Sequence, residues 1–502
     1  MIHPLEATVE LAVLGAAVLV AGRLLVTAPV RRELRDRPVI LGIPLVLASI
    51  GAAVLLVLAG TDEVARRTVT AVIAGGLVAA HVRARPDYGK RRGWPPGSLG
   101  LSESLDAIGD PEYYARTAER LGPVFKMRQI HQPVACITDL RLGFDLFDTR
   151  SPDLRQSDWA FNRLVPGGYL EYMDGELHGR VRALIEPAFD AGTVVATRDV
   201  IATVAGEQLD QMALASDEAG IYPEPFLLAI PQVGLLRMVL GVGPTHPDSP
   251  ALRERFTDLN RSLELFLPIP RESREAYHWL AAKISELAAT DGIEEPSVLT
   301  RLRATYPELP EDDAVVGNLV LMVKEGSIMV RGMLRWVLKM LADHPDEARA
   351  LRDLIGDPAG LDLRAHAFAL ETIRLFESPY LYRRVAREVD VGGYRVPAGW
   401  LVRLCLREAH SRPDVFEDPD RFDPGRHIAA PEDDDRLCPF GSGDRACPGA
   451  DIAVEIASTV VREVALGYDV RTREDGPAWR INRHWGLWRP SERWRVEVRA
   501  RR

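Results

Sequence analysis

Three apolar blocks open the chain. Residues 11–30 are uncharged apart from Arg23, whose long stem can snorkel to an interface. Residues 38–60 hold no charged residue, and a helix of that length spans the ~30 Å hydrocarbon core of a bilayer. Residues 68–82 are largely apolar but short, so this block reads either as a third crossing or as an interfacial or core helix. A cleaved signal peptide needs a basic start, and residues 1–10 contain no Lys or Arg. The pattern predicts two to three transmembrane helices in a membrane anchor over residues 1–92.

The pattern then changes. Trp94-Pro95-Pro96-Gly97 predicts a stiff, non-helical joint, where a second domain, residues 93–502, begins. Asp312–Leu341 is apolar-rich and free of proline, ends before His344-Pro345, and predicts one long helix. Ala365–Phe376 and Asp451–Leu466 read as further helices. Between Val385 and Arg403, Gly392-Gly393 and Pro397-Ala398-Gly399 punctuate short strands, and Trp479–Arg502 alternates like a hairpin. The expected fold class is mainly α with a minor β-sheet. No internal repeat or low-complexity tract interrupts it.

Charge refines the picture. The 62 Lys and Arg against 72 Asp and Glu give a net charge of −10, which argues against a nucleic-acid partner. The first 92 residues are basic, and the acidity belongs to the remainder. Arg31, Arg32, Arg35 and Arg37 follow the first block; Arg83, Arg85, Lys90, Arg91 and Arg92 follow the third. The loop between holds only Arg66 and Arg67, offset by Asp62 and Glu63. Three crossings with the amino terminus outside put both richer clusters and the large domain in the cytoplasm. The basic run can also touch anionic heads of the lipid bilayer. Four cysteines without a CxxC pair argue against a disulfide scaffold or a zinc ribbon, and for a reducing compartment.

One of them, Cys447, sits in Phe440-Gly-Ser-Gly-Asp-Arg-Ala-Cys-Pro-Gly449. The glycines let the backbone turn tightly beside the sulfur. The helix starting just behind is expected to lower the thiol pKa through its amino-terminal dipole and free amides. A thiolate so placed suits a soft metal such as heme iron; the alternative is a buried free cysteine in a turn.

That loop resembles the heme-ligand loop of the cytochrome P450 family, FxxGxxxCxG, at Phe440, Gly443, Cys447 and Gly449. Glu371-Thr-Ile-Arg374 resembles the family's ExxR helix, and Asp418 to Arg426 the segment after it. His178-Gly-Arg-Val-Arg182, followed by Pro187-Ala-Phe189, resembles its HxxxR helix. The likeness runs from about Gly97 to Arg502. It implies heme b as cofactor and Cys447 as the iron ligand. It also implies that Glu371 and Arg374 brace Arg421 or Arg426 behind the heme, although a solvated surface pair is the plainer use of such residues. By the same resemblance His178, Arg182, Arg384 and Arg445 would hold the propionates, with Arg383 competing for the place of Arg384. Phe440 would pack near the thiolate.

The resemblance breaks on the long helix. The family's AGxDT-like string falls on Glu325-Gly326-Ser327-Ile328-Met329. Gly326 is kept and is expected to leave space over the iron. Ile328 and Met329 replace the acid and the alcohol, and neither can relay a proton. Substrate or water can supply that proton, the reaction can need none, or Glu325 can act instead; otherwise Glu325 pairs with Lys324 or Arg331 away from the heme. The pocket would be lined by about Phe161–Tyr172, Leu259–Pro270 and Arg483–Trp488. Within it Trp485, Leu487 and Trp488 are candidates either for substrate contact or for core packing. Aromatic walls and an anchor point to an apolar small-molecule substrate, lipid or terpenoid-like. The expected activity is a membrane-anchored heme-thiolate monooxygenase fed by separate ferredoxin or reductase donors. A peroxide-dependent or isomerising enzyme and a non-catalytic heme-binding protein are the alternatives.

Overall fold

The computed structural model describes residues 93–501, apart from 100–105, 108–109, 111, 130–131, 150, 157–159, 261–268, 378–379, 430–435 and 477–488. The three apolar blocks of residues 1–92 lie outside the described residues, as do Trp485, Leu487 and Trp488. Among the described residues, no helix is long and apolar enough to cross a membrane.

Seven helices frame the site: α1 (Gly175–Ile185), α2 (Arg198–Ala215), α3 (Glu224–Leu227), α4 (Ala229–Leu240), α5 (Asp313–Asp343), α6 (Pro358–Thr372) and α7 (Ala450–Gly467). The expected long helix is α5. Asp312 caps it, its carboxylate accepting from the Ala314 and Val315 amides at 3.0 and 3.1 Å. Asp357 caps α6 in the same way through the Gly360 amide at 3.1 Å, with Pro358 in the first turn, where its missing N–H costs nothing. α6 ends earlier than expected, at Thr372, and Ile373–Glu377 continue as a wider π-type turn. The main core lies between α2, α4, α5, α6 and α7, where Leu236, Leu319, Leu334, Phe368 and Val461 are all buried.

Beside this helical layer stands a five-stranded sheet in the order β1-β2-β7-β4-β3, with β1 (Val124–Gln129), β2 (Gln132–Ile137), β3 (Leu154–Arg155), β4 (Leu381–Val385) and β7 (Leu401–Leu404). β2 and β7 run parallel; the other neighbours are antiparallel. The expected short strands between are β5 (Val389–Val391) and β6 (Tyr394–Val396), a two-stranded ribbon. The joint at Trp94 docks on this sheet, its ring edge-on to Trp400 at 4.9 Å. Gly97 has φ +114°, and an added Cβ would fall 2.2 Å from the Lys126 carbonyl oxygen, so only glycine fits there.

In the tail, β9 (Arg495–Ala500) pairs antiparallel with β8 (Tyr468–Glu474), upstream of Trp479; residues 479–488 of the expected hairpin lie outside the described residues. Tyr468 and Val470 on β8 meet Val496 and Val498 on β9 in a buried strip that joins the main core, and the alternation of β9 alone could not name its partner. No disulfide joins the four cysteines, all of which lie among the described residues.

Candidate active site

Cys447 is set by its own loop. Its amide donates to the Phe440 carbonyl at 2.8 Å, and the Ala446 amide donates to Gly443 at 3.0 Å. Gly441 and Gly443 take φ of +81° and +59° to close these turns. Phe440 packs against the main core. An added Cβ at Gly449 would stand 3.9 Å from Cys447 Sγ, an ordinary contact, so Gly449 serves through its amide, which holds the thiol pKa down. Burial outweighs that amide and pushes the Cys447 thiol above its ordinary value, correcting the expectation from the helix dipole. Cys447 is nonetheless exposed by area. Exposure combined with a desolvated thiol marks a side chain that faces an interior hollow rather than bulk water.

The opposite wall of that hollow is α5. This helix is buried over most of its length, yet Met322, Glu325, Gly326 and Met329 keep accessible surface, Met329 at 41%. Positions i, i+3, i+4 and i+7 form one stripe. The titration of Tyr169 responds to both Glu325 and Cys447, which brings helix stripe, aromatic loop and thiol together. Tyr172, whose ring centroid lies 6.4 Å from that of Tyr169, also responds to Glu325. Glu325 Oε1 accepts from Lys324 Nζ at 2.7 Å, and Lys324 is fully buried. Arg331 turns to Glu224 instead. The expectation for Gly326 is corrected: its missing Cβ makes room for Leu235 of α4, whose Cδ1 would be 2.9 Å away.

A cationic cluster closes one end. His178 and Arg182 share a face of α1, as their spacing predicts, and both are buried. Arg182 donates to the Ala446 carbonyl at 2.9 Å and pairs with Glu186. Arg445 donates to the Met173 carbonyl at 2.7 Å and lies 3.7 Å from Asp174. Burial, Arg445 and Arg182 together push His178 down to about 4, so it is neutral at pH 7. Burial and Arg445 lower Arg383 to about 10. Strand alternation sends Arg383 and Arg384 to opposite faces of β4, and Arg384 stands across from Arg155 of β3. The electrostatics tie Arg383, the competing candidate, to Arg445. Buried and half-buried guanidinium groups around a neutral imidazole favour a bound anion.

Behind the loop, Glu371 and Arg374 are fully buried and form a paired fork at 2.8 and 2.9 Å. Glu371 also accepts from Arg426 Nε and the Asp423 amide, each at 3.0 Å, and meets His427 Nε2 at 2.8 Å. Arg374 donates onward to the His410 and Pro419 carbonyls. Of the two arginines expected, Arg426 enters this network through its side chain, whereas the exposed Arg421 contributes its carbonyl. No motif pointed to His427. Burial alone would raise the Glu371 carboxyl; the bonds from Arg374, His427 and Asp423 win and hold it at about 2.

These residues fit heme. A desolvated thiol, a cluster of buried and half-buried cations suited to two carboxylates, and a braced Glu371 network behind the loop are all present. Cys447 would ligate the iron, and Arg182, Arg445 and Arg383 would hold the propionates.

Comparison with known proteins agrees. The cytochrome P450 family model matches residues 364–498. The chain is 26% identical over 451 residues to abscisic acid 8'-hydroxylase 2 of Oryza sativa subsp. indica, covering 78% of this chain and 86% of that one. It is 32% identical over 174 residues to ent-kaurenoic acid oxidase 1 of Hordeum vulgare, covering 32% and 35%. Its fold is that of retinoic acid bound cyanobacterial CYP120A1, with a TM-score of 0.66 at 21% identity over 81% of this chain and 99% of that one. The chain is thus similar to the cytochrome P450 family, whose model matches its residues 364–498, and it is an oxidoreductase of the monooxygenase kind with heme b as its cofactor.

Proposed function

We propose that this enzyme is a membrane-anchored monooxygenase that oxidises an apolar, terpenoid-like small molecule with dioxygen and electrons from a separate ferredoxin or reductase. The observation that carries the reading is the accessible stripe of α5 together with Tyr169, whose titration responds both to Glu325 of that stripe and to Cys447. Bound heme supplies activation of dioxygen at the iron. The chain does the rest. Cys447 would offer its sulfur to the iron, the α5 stripe and Tyr169 exclude water and orient an apolar substrate, and the cationic cluster would hold the cofactor's carboxylates. The names of two plant relatives, an abscisic acid 8'-hydroxylase and an ent-kaurenoic acid oxidase, support the substrate class. The uncharged run at 38–60 and the basic residues around residues 83–92 support the anchor, with the catalytic domain on the cytoplasmic side.

Glu325 takes the place of the missing acid–alcohol pair. It is the protonatable side chain on the accessible stripe, and Lys324 holds its carboxylate from the buried side. Glu325→Gln should lower product formation about 10²-fold while donor consumption continues as peroxide release, measured as the ratio of product to electrons consumed. An unchanged ratio would remove Glu325 from proton delivery.

The exposed Met329 in place of an alcohol favours a second reading, a peroxide-dependent or isomerising enzyme. The two separate cleanly. Full-length protein with ferredoxin, reductase and diterpenoid or sesquiterpenoid acids should give donor-dependent products carrying one oxygen atom from dioxygen. Turnover sustained without donors, by peroxide or by rearrangement alone, would replace the first reading by the second.

A further inference from the structure

Asn318 stands on the same side of α5 as the accessible stripe. It precedes Met322 by four positions and Glu325 by seven, so it continues their row one turn towards the start of the helix. It is fully buried, and its amide is spent on backbone. Oδ1 accepts from the Leu170 amide at 2.7 Å, while Nδ2 donates to the Ala314 carbonyl at 2.7 Å and to the Gly168 carbonyl at 3.3 Å. Both donors and the acceptor of the side chain are thus in use. The bond to Ala314 stays within the helix; the other two cross to the loop that carries Tyr169.

That loop has little regular structure of its own. Gly168 turns it with φ +98°, and Leu170–Tyr172 form a single short 3-10 turn. Gly168 and Leu170 are buried, so their backbone groups need protein partners, and Asn318 supplies one to each. Asn162 accepts from the Tyr169 amide between them. Packing follows the same line. An added Cβ at Gly317, the residue before Asn318, would stand 2.9 Å from Val165 Cγ1, so the helix leaves a gap where the loop docks. Tyr169 therefore lies between the two residues that Asn318 grips, and its titration responds to Glu325 and Cys447.

We propose that Asn318 is a positioning residue that latches the loop 162–173 to α5, holds Tyr169 beside the stripe, and so makes the site select bulky apolar ligands over small ones. The inference rests on the reading of the stripe as the substrate wall. A wall formed in advance spares the ligand the cost of ordering it, whereas a loose loop must be ordered at the expense of affinity. A ligand too small to touch Tyr169 gains nothing from the latch.

The test uses heme-loaded, full-length protein in detergent and has two arms. Hydrogen–deuterium exchange follows the amides of residues 164–173. Absorption titration follows imidazole and 4-phenylimidazole, whose ring nitrogen shifts the Soret band on reaching the iron. The first is too small to need the loop; the second adds an apolar ring. Asn318→Leu, close to Asn in size, should speed exchange at Leu170 about tenfold or more and weaken 4-phenylimidazole about tenfold, with imidazole changed less than about twofold. Asn318→Thr keeps a hydroxyl for the Ala314 carbonyl but is one atom too short for the loop, so it should behave as Asn318→Leu does. That separates a latch from support of the helix alone. Gly168→Ala acts from the loop side, since its Cβ would meet Asn162 Oδ1 at 2.7 Å, and should give the same signature even if the α5 variants fold poorly. Unchanged exchange, or an unchanged ratio of the two affinities, in both Asn318→Leu and Gly168→Ala would overturn the proposal, as would Asn318→Thr matching the parent. Absence of any imidazole shift in the parent would count against the heme reading alone, and the exchange arm would still decide the latch.

Discussion

Glu371→Gln should destabilise the catalytic domain by roughly 3–5 kcal/mol, the cost typical of removing one partner from a buried ion pair. The carboxylate serves five donors at once, from Arg374, Arg426, His427 and the Asp423 amide, and it is fully buried. The amide of Gln can keep one oxygen for these donors but leaves two buried guanidinium groups without a counter-charge. The carboxyl is held at about 2 against an ordinary 4.5, so its contribution is complete above about pH 4.5 and is lost as pH falls through about 2. A gap of that size corresponds to on the order of 3 kcal/mol. Denaturant unfolding of heme-loaded parent and variant at pH 7 checks the magnitude, and acid unfolding checks the sign. The parent should lose stability between about pH 4 and 2 by more than Glu371→Gln does.

The second large effect falls on cofactor retention. Arg445→Leu combined with Arg182→Leu should lower the fraction of protein that keeps heme through gel filtration at least tenfold. The buried Arg182 bonds to the Ala446 carbonyl of the Cys447 loop, and the half-buried Arg445, within that loop, bonds to the Met173 carbonyl. His178 between them is already neutral above about pH 4. Retention in the parent should therefore be flat from pH 5 to 8. A step near 6.5, the ordinary histidine value, would show that His178 contributes as a cation, against the electrostatics of the cluster.

How far the sequence foretold this site depends on the kind of residue. Cys447, Glu371, Arg374, His178 and Arg182 stand out in the sequence because each sits in a short pattern that resembles a cytochrome P450 motif; spacing by itself predicts only a shared face or turn. The partners that complete the network do not stand out. Arg426 and Arg421 could be told apart only once the loop after β7 showed which side chain reaches Glu371 and which offers its carbonyl. His427 carries no pattern of its own. Arg383 and Arg384 are neighbours, and only the strand register separates their faces. Gly326 illustrates a different failure, since a small residue makes room in whichever direction its Cβ would point, here towards Leu235. The thiol pKa of Cys447 was misjudged because a dipole can be read from a helix start, whereas desolvation depends on everything packed around it.

The central claim is that Cys447 binds heme iron through sulfur and leaves the α5 side open to a small ligand. The reduced, carbon monoxide-bound absorption spectrum of the full-length protein in detergent tests it most directly, with Cys447→Ala as the comparison. A red-shifted Soret band of the thiolate type in the parent, absent from the variant, is the predicted result. Heme that fails to bind carbon monoxide, a band unchanged in Cys447→Ala, or no bound heme at all would contradict it.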